Sequence, residues 1–291
     1  MDFPLVVGVD GSNSSLTAID WAVDEAAWHE LPLHLVHASL WEIYEAAQPS
    51  FSTNRPAGEV MAEHIIASSV ERARRRHSEV KVSGETLPQD TVRALLQAGH
   101  EAFALVTGSR GRGGIAGMLL GSVSLAVSAR AVCPVVVVRG AEPNRRGALG
   151  RIVVGVGDTT DCTAAVRFAV REAEVRGCAL IAVRAWRNPA LEPVDHMLIA
   201  DDAARLREER ASTGLDDALR EAVREHPRVD VQRQLLEGPA HRILLYASTE
   251  ADMIVVGSQR RHGHFGLQLG RVPHTLLHHS DCPVAVVPQP V

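Results

Sequence analysis

Residues 108–122 read GSRGRGGIAGMLLGS, which is Gly108, two residues, Gly111, nine residues, then Gly121-Ser122. An apolar run, Phe103 to Val106, leads into this stretch, and a helix-like segment, Ser122 to Arg130, leads out of it. The pattern predicts a glycine-rich loop between a buried strand and a helix N-terminus. Glycine lets the backbone approach a ligand closely and adopt positive φ. The first amides of a helix lack an intrahelical partner and favour an anion. Strand, loop and helix in this order make a phosphate-binding geometry.

Outward from this loop, the chain repeats itself. Leu5-Val6-Val7-Gly8-Val9 returns as Ile152-Val153-Val154-Gly155-Val156, and Leu35-Val36-His37-Ala38 returns as Ala182-Val183-Arg184-Ala185. Ala104-Leu105-Val106-Thr107-Gly108-Ser109 returns as Met253-Ile254-Val255-Val256-Gly257-Ser258, and Val132-Cys133-Pro134-Val135 as Asp281-Cys282-Pro283-Val284. The offset is 147 at the start and 149 at the end. A period that long is a duplicated domain, not a solenoid repeat. The 291 residues suit two domains of ordinary size. We expect one domain over 1–140, a linker over 141–150 with Pro143, Asn144 and Gly147, and a second domain over 151–291.

In the first half the apolar runs predict strands near 3–9, 33–38, 79–86, 103–108 and 134–138, with helices near 14–30, 57–77, 90–101 and 122–131. The strands are continuous Val, Leu and Ile, which marks strands buried on both faces of a parallel sheet. Strand–helix alternation then gives an α/β, doubly wound domain. Such sheets hold ligands beyond the carboxyl ends of their strands, where the strand order reverses. Asp10 follows the first strand and Gly108 ends the fourth, so both fall at that edge. Asp10 also has the character of a helix N-cap, a role open to Ser12 and Ser14 as well.

The first strand ending in Val7-Gly8-Val9-Asp10, the Gly108-x2-Gly111-x9-Gly121-Ser122 loop and the Cys133-Pro134-Val135 strand together resemble the universal stress protein family. The resemblance covers both halves. It implies two tandem copies of a five-stranded parallel-sheet, Rossmann-like (adenine nucleotide alpha hydrolase-like) domain. In members with this loop it also implies bound ATP, with or without Mg2+. Carried onto this chain, Asp10 makes a polar contact with the nucleotide, beside Val9. Ala38 and its neighbours line the adenine pocket. Thr107, Gly108, Arg110 and Gly111 approach the ribose and phosphates. Gly121, Ser122, Val123 and Ser124 hold phosphates by amides and hydroxyls. The resemblance also implies edge-to-edge pairing of fifth strands, so Val135–Val138 and Val284–Val287 are expected to pair within one molecule. A homodimer is a further expectation.

The second half departs from this pattern. Its loop reads GSQRRHGHFGLQLGR, Gly257 to Arg271. Arg260 stands where Gly111 stands, Arg271 replaces Ser122, and Gly157 takes the place of Asp10, with Asp158 one residue along. Weak or absent ATP binding is expected there. His274 and His278 are spaced for one helix face, yet no metal site is expected. The segments Leu40–Gly58 and Trp186–Met197 hold Trp41, Tyr44, Phe51 and Trp186, a lid, a partner surface or simply the cover of the adjacent helix.

Charge and motifs narrow the function. Net charge is −5, split −3 over residues 1–147 and −2 over the rest, so neither half has the basic character of a bulk nucleic-acid binder. Arg74-Arg75-Arg76 reads as a solvated helix end. No apolar run approaches the ~20 residues that span a bilayer. No secretory signal is expected, since Val6–Val9 is too short for its core. The four cysteines form no C-x-x-C, and Cys162 and Cys178 would stand at opposite ends of one helix. At about 24 Å apart they are too far to bridge. Reduced thiols and a cytoplasmic location are expected. G-x4-G-K-[ST], G-x-S-x-G and G-x-G-x-x-G are all absent, and the one lysine, Lys81, is remote from the loop. Taken with the resemblance, which implies an ATP-binding stress-response regulator, the absent motifs favour at most slow hydrolysis. The alternatives are a nucleotide-free partner scaffold, or an adenylate-forming or nucleotidyl-transfer enzyme on a related fold.

Overall fold

The computed structural model describes residues 3–40, 57–111, 120–157, 163–187, 197–258 and 269–289, with residues 197–203 described as helix backbone only. The chain forms two compact units, Met1–Arg139 and Gly140–Val291.

In the first unit the strands are β1 (Leu5–Gly8), β2 (Leu33–Ala38), β3 (Val82–Leu87), β4 (Ala104–Gly108) and β5 (Val135–Val138). They lie in the order β3-β2-β1-β4-β5 and every pair is parallel. The helices are α1 (Asn13–Trp28), α2 (Ala57–Arg76), α3 (Thr91–Ala98) and α4 (Ser122–Arg130). Val7, Leu35, Leu105 and Val137 on four successive strands are fully buried. This is the core that continuous β-branched and leucine runs were read to build. The edge strand β3 differs: its residues are half-buried or exposed, and it starts at Val82 rather than at residue 79. The helix expected to reach residue 101 ends at Ala98 and tightens into a 3-10 turn over Gly99–Glu101.

α1 ends in a Schellman turn. Glu30 takes φ 55°, Leu31 N–H donates to Ala26 O at 2.9 Å and Glu30 N–H to Ala27 O at 3.3 Å. The matching turn of the second unit places Gly177 at φ 62°, the residue type this conformation favours. The basic run ends α2 as expected. Arg72 and Arg76 reach across to Asp20 and Asp24 of α1 at 2.6 and 2.5 Å, pairs that fix helix position more than they add stability.

The second unit repeats the design. Its elements are α5 (Glu142–Arg145), β6 (Arg151–Gly155), α6 (Thr163–Arg176), β7 (Ala179–Trp186), α7 (Met197–Glu225), β8 (Val231–Glu237), α8 (Ala240–Ala247), β9 (Met253–Ser258), α9 (Arg271–His279) and β10 (Val284–Pro288). Its strands run β10-β9-β6-β7-β8, again all parallel. The linker-like residues 140–150 belong to this unit. Asn144 is buried and its Nδ2 donates to the carbonyls of Thr249 (3.2 Å) and Ala251 (2.8 Å). Asp252, also buried, accepts from Leu149 N–H and Arg151 N–H at 2.9 and 3.0 Å. Among the described residues no helix is long and apolar enough to cross a membrane.

Candidate functional site

β1 lies between β2 and β4, so the chain winds one way through β2 and β3 and the other way through β4 and β5. The reversal falls between the carboxyl ends of β1 and β4, the place where an open parallel sheet leaves a crevice. A cavity of about 360 Å³ opens there, a volume within the usual range of small-molecule sites. Of the residues singled out by sequence, Val9, Asp10, Thr107, Gly108, Arg110, Gly111, Gly121, Ser122, Val123 and Ser124 line it. Ala38 stands behind the wall, and its carbonyl accepts from Thr91 Oγ1 at 3.0 Å; Thr91 itself lines the cavity.

The loop after β1 is held from three sides. Buried His37 on β2 donates from Nδ1 to Val9 O at 2.7 Å. Asp10 N–H donates to Ser15 Oγ at 3.2 Å. Asp10 Oδ1 accepts from Ser12 N–H at 3.0 Å and from Ser12 Oγ at 2.6 Å. Ser12, not Asp10, caps α1, accepting from Ser15 N–H at 3.2 Å. The helix-cap role therefore falls to the serine, and the aspartate braces it. This leaves the other carboxylate oxygen facing the glycine loop: a Cβ on Gly111 would stand 2.8 Å from Asp10 Oδ2.

The glycine loop is pinned at both ends. Arg110 N–H donates to Ser14 Oγ at 3.1 Å. Gly108 passes so close to α1 that a Cβ there would lie 2.6 Å from the carbonyl oxygen of Ser14. At the far end, Gly121 N–H donates to Ser109 O at 2.8 Å and Ser124 Oγ to Gly108 O at 2.7 Å. Gly121 is the N-cap of α4, and no side chain caps that helix. The first-turn amides of Ser122, Val123 and Ser124 thus meet the cavity, a partial positive charge suited to an anion. Residues 112–119 in the middle of the loop lie outside the described residues.

Chemically, the cavity offers a carboxylate that accepts from hydroxyls and a helix start that donates to an anion, over an apolar floor that includes Leu95 and Leu120. Sequence reasoning missed Gly8, Ser15, Thr91, Leu95 and Leu120 as lining residues. Thr91 and Leu95 are i,i+4 on α3, so their shared face was legible, but which way it points was not.

The second unit has different chemistry at the matching edge. Arg184 replaces His37 and plays its bracing part, donating from Nη1 to Gly157 O at 2.8 Å. Gly157, in the place of Asp10, brings no carboxylate. Arg271 opens α9, where Ser122 opens α4, and it is exposed. Residues 158–162 and 259–268, with Asp158, Arg260, His262 and His264, lie outside the described residues, as do Trp41, Tyr44 and Phe51. His274 and His278 stack, ring centroids 4.6 Å apart. Among the described residues they belong to no group of three or more metal-ligating side chains.

The family model described as the universal stress protein family matches residues 3–139 and again 149–288. The chain belongs to the universal stress protein family. The universal stress protein Rv2005c of Mycobacterium tuberculosis is 33% identical over 294 residues, covering 98% of this chain and 97% of that protein. The crystal structure of a universal stress protein from Archaeoglobus fulgidus DSM 4304 superposes with a TM-score of 0.69 at 18% identity, covering 98% of both chains. A shorter universal stress protein from Archaeoglobus fulgidus, in complex with dAMP, matches 47% of this chain and 98% of its own at 21% identity, with a TM-score of 0.36. Two tandem universal stress protein domains, each a parallel α/β sheet, therefore make up residues 3–139 and 149–288.

One group in this site is unspent. Thr107 is 4% exposed, lines the cavity, and its Oγ1 has no hydrogen-bond partner among the described residues. A buried hydroxyl without a partner costs stability. Thr107→Val is expected to leave the ligand-free protein as stable or up to ~1 kcal/mol more stable. It should weaken several-fold the binding of a ligand whose polar atoms reach this hydroxyl. Urea unfolding and titration calorimetry check both; a destabilised variant with unchanged affinity would show that the hydroxyl serves the fold alone.

Proposed function

We propose that the first unit is an ATP-binding module of a stress-response regulator and that the second unit does not bind ATP in the same mode. The observation that carries this reading is the meeting of Asp10, Gly111 and the uncapped start of α4 around one cavity. A carboxylate repels phosphate but accepts well from ribose hydroxyls, and a helix start does the opposite. A ligand with a sugar at one end and phosphates at the other satisfies both. The apolar floor suits a purine ring. Asp10 is the carboxylate among the described lining residues, and its Oδ1 is taken by Ser12. An accompanying Mg2+ would draw most of its oxygens from the phosphates and water.

Binding rather than turnover is favoured by the placement of Lys81, the single lysine. Its carbonyl accepts from Leu33 N–H at the amino end of β2, the edge opposite the cavity. ATP would then act by biasing the protein between states of different affinity for it. A reducing, cytoplasmic setting fits Cys133, Cys178 and Cys282, which form no disulfide among the described residues. Burial pushes the Cys133 thiol up to about 11, so it stays protonated and unreactive at neutral pH.

The test is stoichiometry. Nucleotide is extracted from the purified full chain and identified, and the stripped protein is titrated with ATP in about 0.3 M salt, which screens charge-only binding. One ATP per chain is expected. Two per chain would refute the division between the units, and none would turn the reading to a partner scaffold.

A further inference from the structure

The carboxyl edge of the second sheet gathers cations that the first lacks. Arg187 follows the last residue of β7, and Gly238 N–H donates to Trp186 O at 2.8 Å, which sets the turn opening α8 beside it. His241 and Arg242 lie in the first turn of α8, and Arg271 is the first residue of α9, the helix packed against α8. The corresponding residues of the first unit, by the repeat offsets, are Leu40, Val92, Arg93 and Ser122, so three of the four positions gain a basic side chain.

Arg187, Arg242 and Arg271 are exposed, and among the described residues none of the three guanidinium groups has an ion pair or hydrogen bond. Partial burial, then the charges of Arg271, Arg242 and Arg187, hold the His241 imidazole below its usual value, so all four share one field. The helix starts add to it. Pro239 caps α8 and Gly270 caps α9, neither with a side-chain hydrogen bond. In the first unit the residue matching Pro239 is Asp90, whose carboxylate caps α3 by accepting from Arg93 N–H at 2.9 Å. Glu237, exposed at the end of β8, is the acidic residue nearest in sequence to this turn. Like charges held together repel, and a bound anion relieves them.

We propose that this edge of the second unit binds an oligophosphate, held by the side chains of Arg187, Arg242 and Arg271 and by the bare starts of α8 and α9. Guanidinium forks match phosphate oxygens in pairs. Recognition here is by charge, with no nucleoside required, whereas the first unit uses glycine backbone and a carboxylate. The phosphates come either from a free inorganic chain or from the tail of a nucleotide.

The probe is inorganic tripolyphosphate, titrated into the full chain at low salt by calorimetry. Binding is expected in the wild type, weakening at least about tenfold when salt rises to about 0.2 M. The triple variant Arg187→Gln, Arg242→Gln, Arg271→Gln is expected to lose at least about tenfold in affinity. It should keep the wild-type thermal transition and the ATP binding of the first unit measured in high salt. Displacement of tripolyphosphate by ATP but not by adenosine would support the site and add the nucleotide tail as a source. Resistance to ATP would support it with the inorganic chain as sole source. Absent binding, binding unchanged in the triple variant, or displacement by adenosine would overturn the proposal.

Discussion

Gly108→Ala is expected to damage both the fold of the first unit and its ligand site. The new Cβ would meet Ser14 O and Oγ at 2.6 Å and Ser14 C at 2.7 Å, and two of these three atoms are backbone. Neither β4 nor the first turn of α1 can retreat cheaply. β4 is paired in register with β5 on one side and β1 on the other. α1 is fixed by the Ser12 cap. Overpacking of this kind costs about 2–3 kcal/mol. In a unit of this size that lowers the melting temperature by roughly 4–12 °C. ATP affinity should fall at least about thirtyfold, about 2 kcal/mol, because Ser124 and Arg110 are tied to the displaced segment. Differential scanning calorimetry and ATP titration check it. An unchanged melting temperature would mean that the close approach of Gly108 to α1 is not as the structure describes.

The second large effect separates binding from stability. In Gly111→Ala the Cβ meets the Asp10 side chain alone, nearest at Oδ2, 2.8 Å away, the far end of a flexible side chain rather than backbone. Asp10→Ala removes that carboxylate, while Ser12 still caps α1. Each variant should stay within about 1 kcal/mol of wild-type stability, since a bracing hydrogen bond is worth about that much. Each should lose tenfold to a hundredfold in ATP affinity, about 1.4–2.8 kcal/mol. Because both act on the same pair of groups, the double variant should cost less than the sum. Unchanged affinity in both single variants would remove the site altogether.

The contrast between these positions shows what a sequence motif conveys. The spacing of Gly108, Gly111 and Gly121 reads as one signature, yet the three glycines answer different demands. Gly108 yields to the backbone of α1, Gly111 to one carboxylate oxygen, and a Cβ on Gly121 would meet nothing closer than 3.6 Å. Gly121 also has an ordinary extended φ of −77°. The absence of a capping side chain, which leaves the start of α4 open, is its contribution.

Sequence alone determined the fold class and the duplication, and it put Asp10 and Gly108 at the sheet edge where the cavity opens. Continuous Val and Leu runs can be buried only on both faces, which demands parallel strands with helices on each side. Repeats offset by 147 to 149 residues demand two such units. These inferences depend on local periodicity and self-similarity, which the linear chain carries explicitly. Tertiary structure decided the rest. That Ser12 caps α1 while Asp10 braces it depended on two residue types, two positions apart, with nearly equal capping strength, so only the path of the loop could choose. Thr91 and Leu95 became walls of the cavity because Leu95 packs against Gly8 at the end of β1, where a Cβ would lie 3.0 Å from its Cδ1, a long-range contact that no short window encodes. Asn144 looked like linker because its partners, the carbonyls of Thr249 and Ala251, are more than a hundred residues away. The cation cluster is the same case: Arg187, Arg242 and Arg271 lie on three separate elements, and only the shared carboxyl edge of a folded sheet brings them to one place.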